Sequence, residues 1–206
     1  MASEVGFRIS DWDSPLRPGA HRSAGRYHRP GSPPTQYISL HPLGPWAEYL
    51  RYHDLRRPED IADRRLTVWA LRVDLANALE VTFENSLEIL EEFSAGVRPS
   101  SSYLVADDYI ACQEFADRLR SDASAPKQIV VPSAALPGAR NLVILGARES
   151  IPYEWKPIDA GDIPACAITH ASEPPDAVLE RVRFVGEPHA ELQAWEQGWR
   201  YEGLDL

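Results

Sequence analysis

Apolar and polar residues alternate along the first half of the chain in patterns typical of short strands and short helices. The run QYISL, residues 36–40, predicts a strand, and a helix follows over residues 45–55, beginning with a proline, which fits the first helical turn. On a helical wheel the apolar residues of this helix share one face, whereas Glu48 points to roughly the opposite side. Residues 66–73 alternate as a half-buried strand does. From pattern alone, Glu48 is therefore a solvated carboxylate.

The second half of the chain continues this mixture of strands and helices. Helices are predicted over residues 86–93 and 108–120, and the second helix carries Cys112 on its apolar stripe, in the core. Short apolar runs predict strands at residues 129–131, 142–145 and 182–185. Because strands and helices are neither segregated nor in regular βαβ alternation, an α+β fold is favoured over a doubly wound sheet. The aromatic residues near the C-terminus are expected to close the core or cover a sheet edge, namely Trp195, Trp199 and Tyr201.

Residues 11–35 form a long segment without a regular period, rich in Pro, Gly and Ser. A structureless run of this length inside a compact domain is usually functional or disordered. The segment is locally basic in an acidic protein, since it carries several arginines and histidines. Two interpretations are open: a local site for an anion, or a solvated, flexible loop. The sequence does not determine how residues 14–35 close over a ligand.

Composition and charge narrow the classes of function. With 206 residues and 44% hydrophobic content the chain can bury one core, so a single domain is expected. Its formal net charge of −10 opposes binding to nucleic-acid phosphates and to anionic membranes. The two cysteines, Cys112 and Cys166, have no metal-ligand spacing and are expected to stay reduced. No apolar run has the length of a membrane span or the features of an export signal, so a cytoplasmic protein is predicted.

An ordered set of polar landmarks carries the candidate chemistry. The segments are FRIS with Arg8, GRYH with Arg26 and Tyr27, QYISL with Tyr37, WAEYL with Glu48, and YIACQEFADRLR followed by IVVPSAALPGARNLVI with Ser133 and Asn141. Over residues 7–145 this set resembles the signature of RES-domain proteins, the toxins of RES–Xre toxin-antitoxin pairs. The most specific part is a helix that leads into a strand ending in PSAA and then NLV. Dinucleotide-binding, P-loop, zinc-protease and nucleophile-elbow motifs are absent from the sequence.

The resemblance implies a fold, an activity and a partner. It implies a mixed sheet similar to the catalytic core of ADP-ribosylating toxins, in one RES-type domain over residues 1–206 that the C-terminal part completes. It also implies an NAD glycohydrolase or NAD phosphorylase, for which NAD is the substrate, water or inorganic phosphate is the acceptor, and no cofactor or metal is needed. The family's Xre-like helix-turn-helix antitoxin blocks the site, so a hetero-oligomer and growth inhibition by the unbound toxin are expected.

The residue types at the landmarks suit this reaction. Positive charge grows at ribose C1′ as neutral nicotinamide leaves, and a carboxylate such as Glu48 stabilises it. Arg8 and Arg26 match the family's arginines, and a guanidinium grips a pyrophosphate bidentately. Tyr37 offers a ring face to the pyridine, and Ser133 a hydrogen bond to the ribose or carboxamide. The candidate catalytic residues are thus Glu48, Arg26, Tyr37 and Ser133, and the candidate NAD-binding residues are Arg8, Arg26, Tyr27, Tyr37, Ser133 and Asn141.

Other interpretations stay open at this point. The same bond cleavage serves a mono-ADP-ribosyltransferase that modifies a protein, and an inert protein can keep the pocket only to bind its antitoxin. Residue by residue, Arg8 can form an ion pair with a nearby aspartate, Tyr37 can be a core residue, and Asn141 can be a turn residue. The sequence does not choose between water, phosphate and protein as acceptor, and it does not give the oligomeric state.

Overall fold

The computed structural model of this chain describes residues 3–10, 16, 19–93, 100–146 and 173–204. Cys166 lies outside the described residues. Within the described ranges, no helix is long and apolar enough to cross a membrane.

A mixed six-stranded sheet forms the centre of the fold, with the strand order β3-β1-β2-β6-β5-β4. The strands are β1 (Ser3–Ile9), β2 (Thr35–Ser39), β3 (Val68–Asp74), β4 (Leu79–Glu80), β5 (Gln128–Pro132) and β6 (Arg140–Leu145). Neighbouring strands are antiparallel except β4 and β5, which are parallel. The strands predicted near residues 36–40, 66–73, 129–131 and 142–145 are confirmed, and so is the α+β fold with a mixed sheet.

The strand predicted at residues 182–185 is wrong, because this stretch has no strand conformation. Val182 and Phe184 are buried, which produces the alternation that suggested a strand. The backbone N–H of Arg183, however, donates to the carbonyl of Ala135 at 2.8 Å, in the turn after β5. The stretch is therefore an irregular segment that crosses this turn, and its apolar side chains enter the core without joining the sheet.

The helices are α1 (Gly44–His53), α2 (Pro58–Ile61), α3 (Ser86–Phe93), α4 (Ile110–Ser121) and α5 (Ala190–Glu196). The first, third and fourth confirm the predicted helices to within two residues at either end. Cys112 is fully buried on α4, as its place on the apolar stripe predicted. Burial raises the pKa of its thiol, which keeps it protonated.

Alternation along the strands separates two faces of the sheet. On one face, α3 and α4 pack on Ile129, Val131, Val143 and Leu145. On the same face, α1 packs on Val68 of β3. The opposite face holds a separate apolar cluster of Leu16, Ile38, Leu71, Val73, Val130, Leu142 and Ile144. A fully buried Leu or Ile contributes about 1.5–3 kcal/mol to stability, so these clusters fix the strand register.

The C-terminal aromatic residues divide between core and surface. Trp195 packs on the α3–α4 core, with its ring 6.0 Å from that of Phe83. Tyr201 lies against Gly138, where a Cβ atom would come within 2.8 Å of the tyrosine ring. Trp199 is 70% exposed and lines a smaller cavity together with Glu80 of the edge strand β4. Of the two predicted roles, closing the core therefore holds for Trp195, whereas Trp199 lies at the surface beside the sheet edge.

Candidate active site

A cavity of about 510 Å³ lies on the helical face of the sheet. Helix α1 forms one wall, the central strands β1, β2, β5 and β6 form the floor, and residues 21–28 with Tyr109 complete the lining. A cavity of this size is typical of a site for a small molecule or cofactor. Six of the predicted site residues line it, namely Arg8, Arg26, Tyr27, Tyr37, Glu48 and Asn141.

Helix α1 presents its polar side to the cavity. The helix begins directly against the end of β2, because Gly44 has no Cβ; a Cβ there would meet Ser39 Oγ at 1.8 Å. Pro45, Glu48 and Tyr52 follow at helical spacing and all line the cavity. Glu48 is exposed, as the helical pattern predicted, and the cavity that it lines is the reason that this side of α1 is polar.

Two neutral side chains hold the Glu48 carboxylate. Its Oε1 accepts hydrogen bonds from Asn141 Nδ2 at 3.0 Å and from Ser133 Oγ at 3.3 Å. Ser133 is fully buried after β5, and its Oγ also accepts from the N–H of Leu136 at 3.1 Å. Three predicted site residues, far apart in sequence, thus meet at one oxygen.

Asn141 leaves one hydrogen-bonding atom for a ligand. Its Nδ2 must face the Glu48 carboxylate, which can only accept, so its Oδ1 is fixed as an acceptor. This Oδ1 is buried and has no partner. A buried unpaired polar atom costs about 1–3 kcal/mol, so a donor from a bound molecule would be stabilised here.

Arg26 supplies a cation to the same cavity. Its guanidinium donates through Nη1 to the carbonyl of Ala106 at 2.6 Å and lies over the Tyr109 ring, 4.9 Å from the centroid. Burial lowers the pKa of Arg26, but attraction to the ionised forms of Cys112, Tyr27 and Glu48 outweighs this and leaves the pKa above its ordinary value. Arg26 therefore carries a positive charge within electrostatic reach of the Glu48 carboxylate.

The GRYH segment forms a tight turn that α4 anchors. Gly25 and His28 exchange two backbone hydrogen bonds, of 3.0 and 3.3 Å. Gln113 Nε2 donates to the carbonyl of Gly25 at 2.9 Å, and Arg120 Nη2 donates to the carbonyl of Tyr27 at 2.6 Å. Sequence reasoning missed both α4 residues. Both residues lie in the family-like segment YIACQEFADRLR, which could have revealed them. A helix that only packs on the sheet needs no glutamine or arginine on its inner side, so Gln113 and Arg120 indicate a further role.

Tyr37 holds the turn through its hydroxyl group. His28 Nε2 donates to the carbonyl of Ser23 at 3.1 Å, so His28 Nδ1 is the acceptor for the Tyr37 hydroxyl at 2.8 Å. The same hydroxyl accepts from the N–H of Tyr27 at 3.0 Å. Burial raises the pKa of Tyr37 above its ordinary value, so the hydroxyl keeps its proton. The hydroxyl thus serves the turn, while the ring lines the cavity.

Two predicted NAD-binding residues lie apart from this group. Tyr27 is fully buried and packs in the α3–α4 core, although it lines the cavity. Arg8 lies opposite Trp69 in the register of β1 and β3, and its Nη1 donates to Gln36 Oε1 at 2.9 Å. Because Gln36 alternates with Tyr37 along β2, the Arg8 side chain extends on the face away from Glu48, although Arg8 is among the residues that line the cavity. Contacts of Tyr27 and Arg8 with a ligand stay predictions.

A buried charge cluster that the sequence did not reveal lies beside the cavity. Asp107 accepts from Arg51 Nη2 at 2.5 Å, from Arg183 Nη2 at 3.2 Å, and from the N–H of Gly186 at 2.7 Å. Burial raises the pKa of Asp107, but these three partners outweigh it and hold the pKa below its ordinary value. Two buried guanidinium groups share one carboxylate, and Arg51 lines the cavity. The cluster therefore adds positive potential to the site.

Comparisons with known proteins identify the family of this chain and a solved structure with the same fold. The family model described as "RES domain" matches residues 7–166. A search of curated proteins finds no match to this sequence. Among solved structures, the chain is similar to one in the crystal structure of the M. tuberculosis MbcT-MbcA toxin-antitoxin complex, with a TM-score of 0.53 and 17% identity over 75% of this chain and 81% of that chain. This likeness shows a shared fold. The family match covers most of the chain, and the chain therefore belongs to the RES domain family.

Proposed function

We propose that this chain is the toxin of a toxin-antitoxin pair and that it degrades NAD by cleaving the bond between nicotinamide and ribose. The observation that carries the proposal is the Glu48 carboxylate, held by Ser133 and Asn141 in a cavity that also contains the Arg26 charge. Membership of the RES domain family and the shared fold with a chain of a solved toxin-antitoxin complex support the biological role.

The reaction needs a negative charge beside one carbon atom. When the glycosidic bond breaks, its electron pair leaves with the ring nitrogen, nicotinamide becomes neutral, and positive charge develops at ribose C1′. A carboxylate fixed before the reaction stabilises this charge without reorganising. The bonds from Ser133 and Asn141 hold Glu48 in one position and thus provide this preorganisation.

The rest of the cavity suits the remaining groups of NAD. Arg26, with the potential of the Arg51–Asp107–Arg183 cluster behind it, attracts the two phosphates. The unpaired Oδ1 of Asn141 accepts from a ribose hydroxyl or from the carboxamide N–H₂. The ring of Tyr37 lies on the cavity floor, where it packs on a planar heterocycle. No further cofactor enters this scheme.

The acceptor and the partner complete the proposal. Water at C1′ yields ADP-ribose, and inorganic phosphate yields the 1-phosphate of ADP-ribose. The toxin acts in the cytoplasm as one domain over residues 1–206 and is neutralised by an Xre-like helix-turn-helix antitoxin in a hetero-oligomer. The antitoxin places a carboxylate-bearing segment in the cavity, where Arg26 receives it in place of the substrate phosphates.

Purified protein incubated with NAD, with and without inorganic phosphate, tests the activity when products are identified by mass spectrometry. Nicotinamide should be released, and the second product distinguishes hydrolysis from phosphorolysis. Glu48→Gln should abolish release because it removes the charge and keeps the shape. Glu88→Gln is the matched control, since Glu88 is an exposed helical glutamate that does not line the cavity.

Three results would each lead to a different conclusion. Intact NAD, with folded wild-type protein, would refute the enzymatic proposal and leave a binding protein. NAD consumed only when a protein target is present, with ADP-ribose attached to it, would identify a mono-ADP-ribosyltransferase. Equal turnover by Glu48→Gln and Glu88→Gln would remove Glu48 from the catalytic role.

Expression of the chain alone should also deplete cellular NAD and arrest growth.

A further inference from the structure

The C-terminal segment, residues 183–189, holds the turn between β5 and β6 that carries Ser133. Three successive carbonyl groups of this turn accept hydrogen bonds from it. The carbonyl of Ser133 accepts from His189 Nε2 at 2.9 Å, and that of Ala135 accepts from the N–H of Arg183 at 2.8 Å. The carbonyl of Ala134, between them, accepts from Arg183 Nη1 at 3.4 Å. The family match ends at residue 166, so both donors lie beyond the matched segment.

His189 is placed to make this contact in one protonation state. Its side chain is buried, its Nε2 faces the carbonyl of Ser133, and its Nδ1 accepts from the N–H of Leu192 at the start of α5. Only a neutral ring with the proton on Nε2 satisfies both partners. Burial lowers the pKa of His189 to about 4, which keeps the ring neutral near pH 7.

We propose that His189 is a positioning residue for the Ser133 hydroxyl, and through it for the Glu48 carboxylate, an inference that rests on the proposed NAD cleavage. The N–H of Ser133 is held by the carbonyl of Ala139 at 2.8 Å, and His189 holds the carbonyl on the other side of the same residue. With both peptide groups fixed, and with Oγ accepting from the N–H of Leu136 at 3.1 Å, the Ser133 hydroxyl is held where it can donate to Glu48 Oε1.

The contact that depends on this arrangement is a weak one. Ser133 Oγ lies 3.3 Å from Glu48 Oε1, which is longer than the usual O–H···O distance, so a small shift of the turn breaks it. A mutation far from the reacting atoms that misplaces a catalytic group by about 1 Å can reduce turnover by up to about 100-fold. Loss of the His189 donor should therefore lower kcat and leave the NAD-binding contacts of Arg26 unchanged.

Two substitutions separate this role from support of helix α5. His189→Gln puts an amide N–H₂ near the position of Nε2 and keeps the donor to Ser133, but it loses the acceptor at Nδ1. His189→Asn puts an acceptor near Nδ1, where asparagine is a favourable helix cap, but it cannot reach Ser133. We expect kcat within about threefold of wild type for His189→Gln and at least about tenfold lower for His189→Asn, with KM for NAD unchanged in both.

Two further measurements keep the inference testable if one variant is unstable. In a Ser133→Ala protein, His189→Asn should cause no additional loss of kcat, because the residue through which it acts is gone. Hydrogen exchange of the Leu136 amide, which donates to Ser133 Oγ, should speed up in His189→Asn and not in His189→Gln.

Equal turnover by the two His189 variants, or turnover that follows their melting temperatures, would show that His189 only supports the helix. An added loss of kcat in the Ser133→Ala protein would also overturn the inference. If wild-type protein leaves NAD intact, the proposed function fails on its own, and the exchange of the Leu136 amide still decides whether His189 fixes the turn.

Discussion

Asp107→Asn should destabilise the protein strongly although Asp107 is no part of the proposed reaction. The carboxylate accepts from Arg51 and Arg183 through Oδ1 and from the N–H of Gly186 through Oδ2. All three partners are donors, so the N–H₂ group of an asparagine must face one of them. The substitution therefore removes the only carboxylate of this cluster among the described residues and adds a contact between two donors.

The burial of the partners determines the size of the effect. The side chains of Arg51 and Arg183 are only 5% and 9% exposed, whereas that of Asp107 is 30% exposed. Breaking a fully buried ion pair from one side costs about 3–5 kcal/mol, and the partial exposure of Asp107 reduces this. We expect a loss of about 3 kcal/mol in the free energy of unfolding, equivalent to a fall of about 6–12 °C in Tm for a chain of this length.

Urea unfolding and thermal melting, at neutral pH and with the slope of the urea transition compared between proteins, measure this loss. Asp117→Asn is the matched control, because Asp117 also lies between two arginines, Arg29 and Arg120, each at 3.0 Å. The side chains of Asp117 and Arg29 are 42% and 43% exposed, and Arg120, which is 11% exposed, keeps the carbonyl of Tyr27 as an acceptor, so the loss of the Asp117 charge should cost less than about 1 kcal/mol. Equal losses in the two variants would refute the argument that burial of the guanidinium groups sets the cost.

The remaining predictions concern the site and its partner. Glu48→Ala should leave the fold intact and lower kcat/KM for NAD at least about 100-fold, about 3 kcal/mol, because the preorganised charge is lost; near-normal turnover would exclude Glu48. The unfolding free energy should decline as pH falls from about 6.5 toward 4, because buried His189, with its pKa lowered to about 4, resists a proton that the unfolded chain binds; His189→Gln should flatten this slope in urea titrations. Arg26→Ala should weaken both NAD turnover and antitoxin binding; unchanged antitoxin affinity with lost turnover would place the antitoxin elsewhere.

The sequence determined the local elements and the set of candidate residues. The helices around Glu48 and Cys112 and the strands around Tyr37 and Asn141 were readable because their apolar periods depend on residues close together in the chain. The order of the polar landmarks along the chain was also readable, and it led to the family that the match over residues 7–166 shows.

The tertiary structure alone decided which of these residues meet. Glu48, Ser133 and Asn141 converge because α1 begins against β2 and because β2, β6 and β5 are neighbours in the sheet. Arg8 was grouped with them by sequence, but strand register directs it to the other face. The Arg51–Asp107–Arg183 cluster and the His189 contact join residues far apart in the chain. No local pattern records such pairs, because burial and hydrogen-bond partners are set by long-range packing rather than by neighbours in sequence.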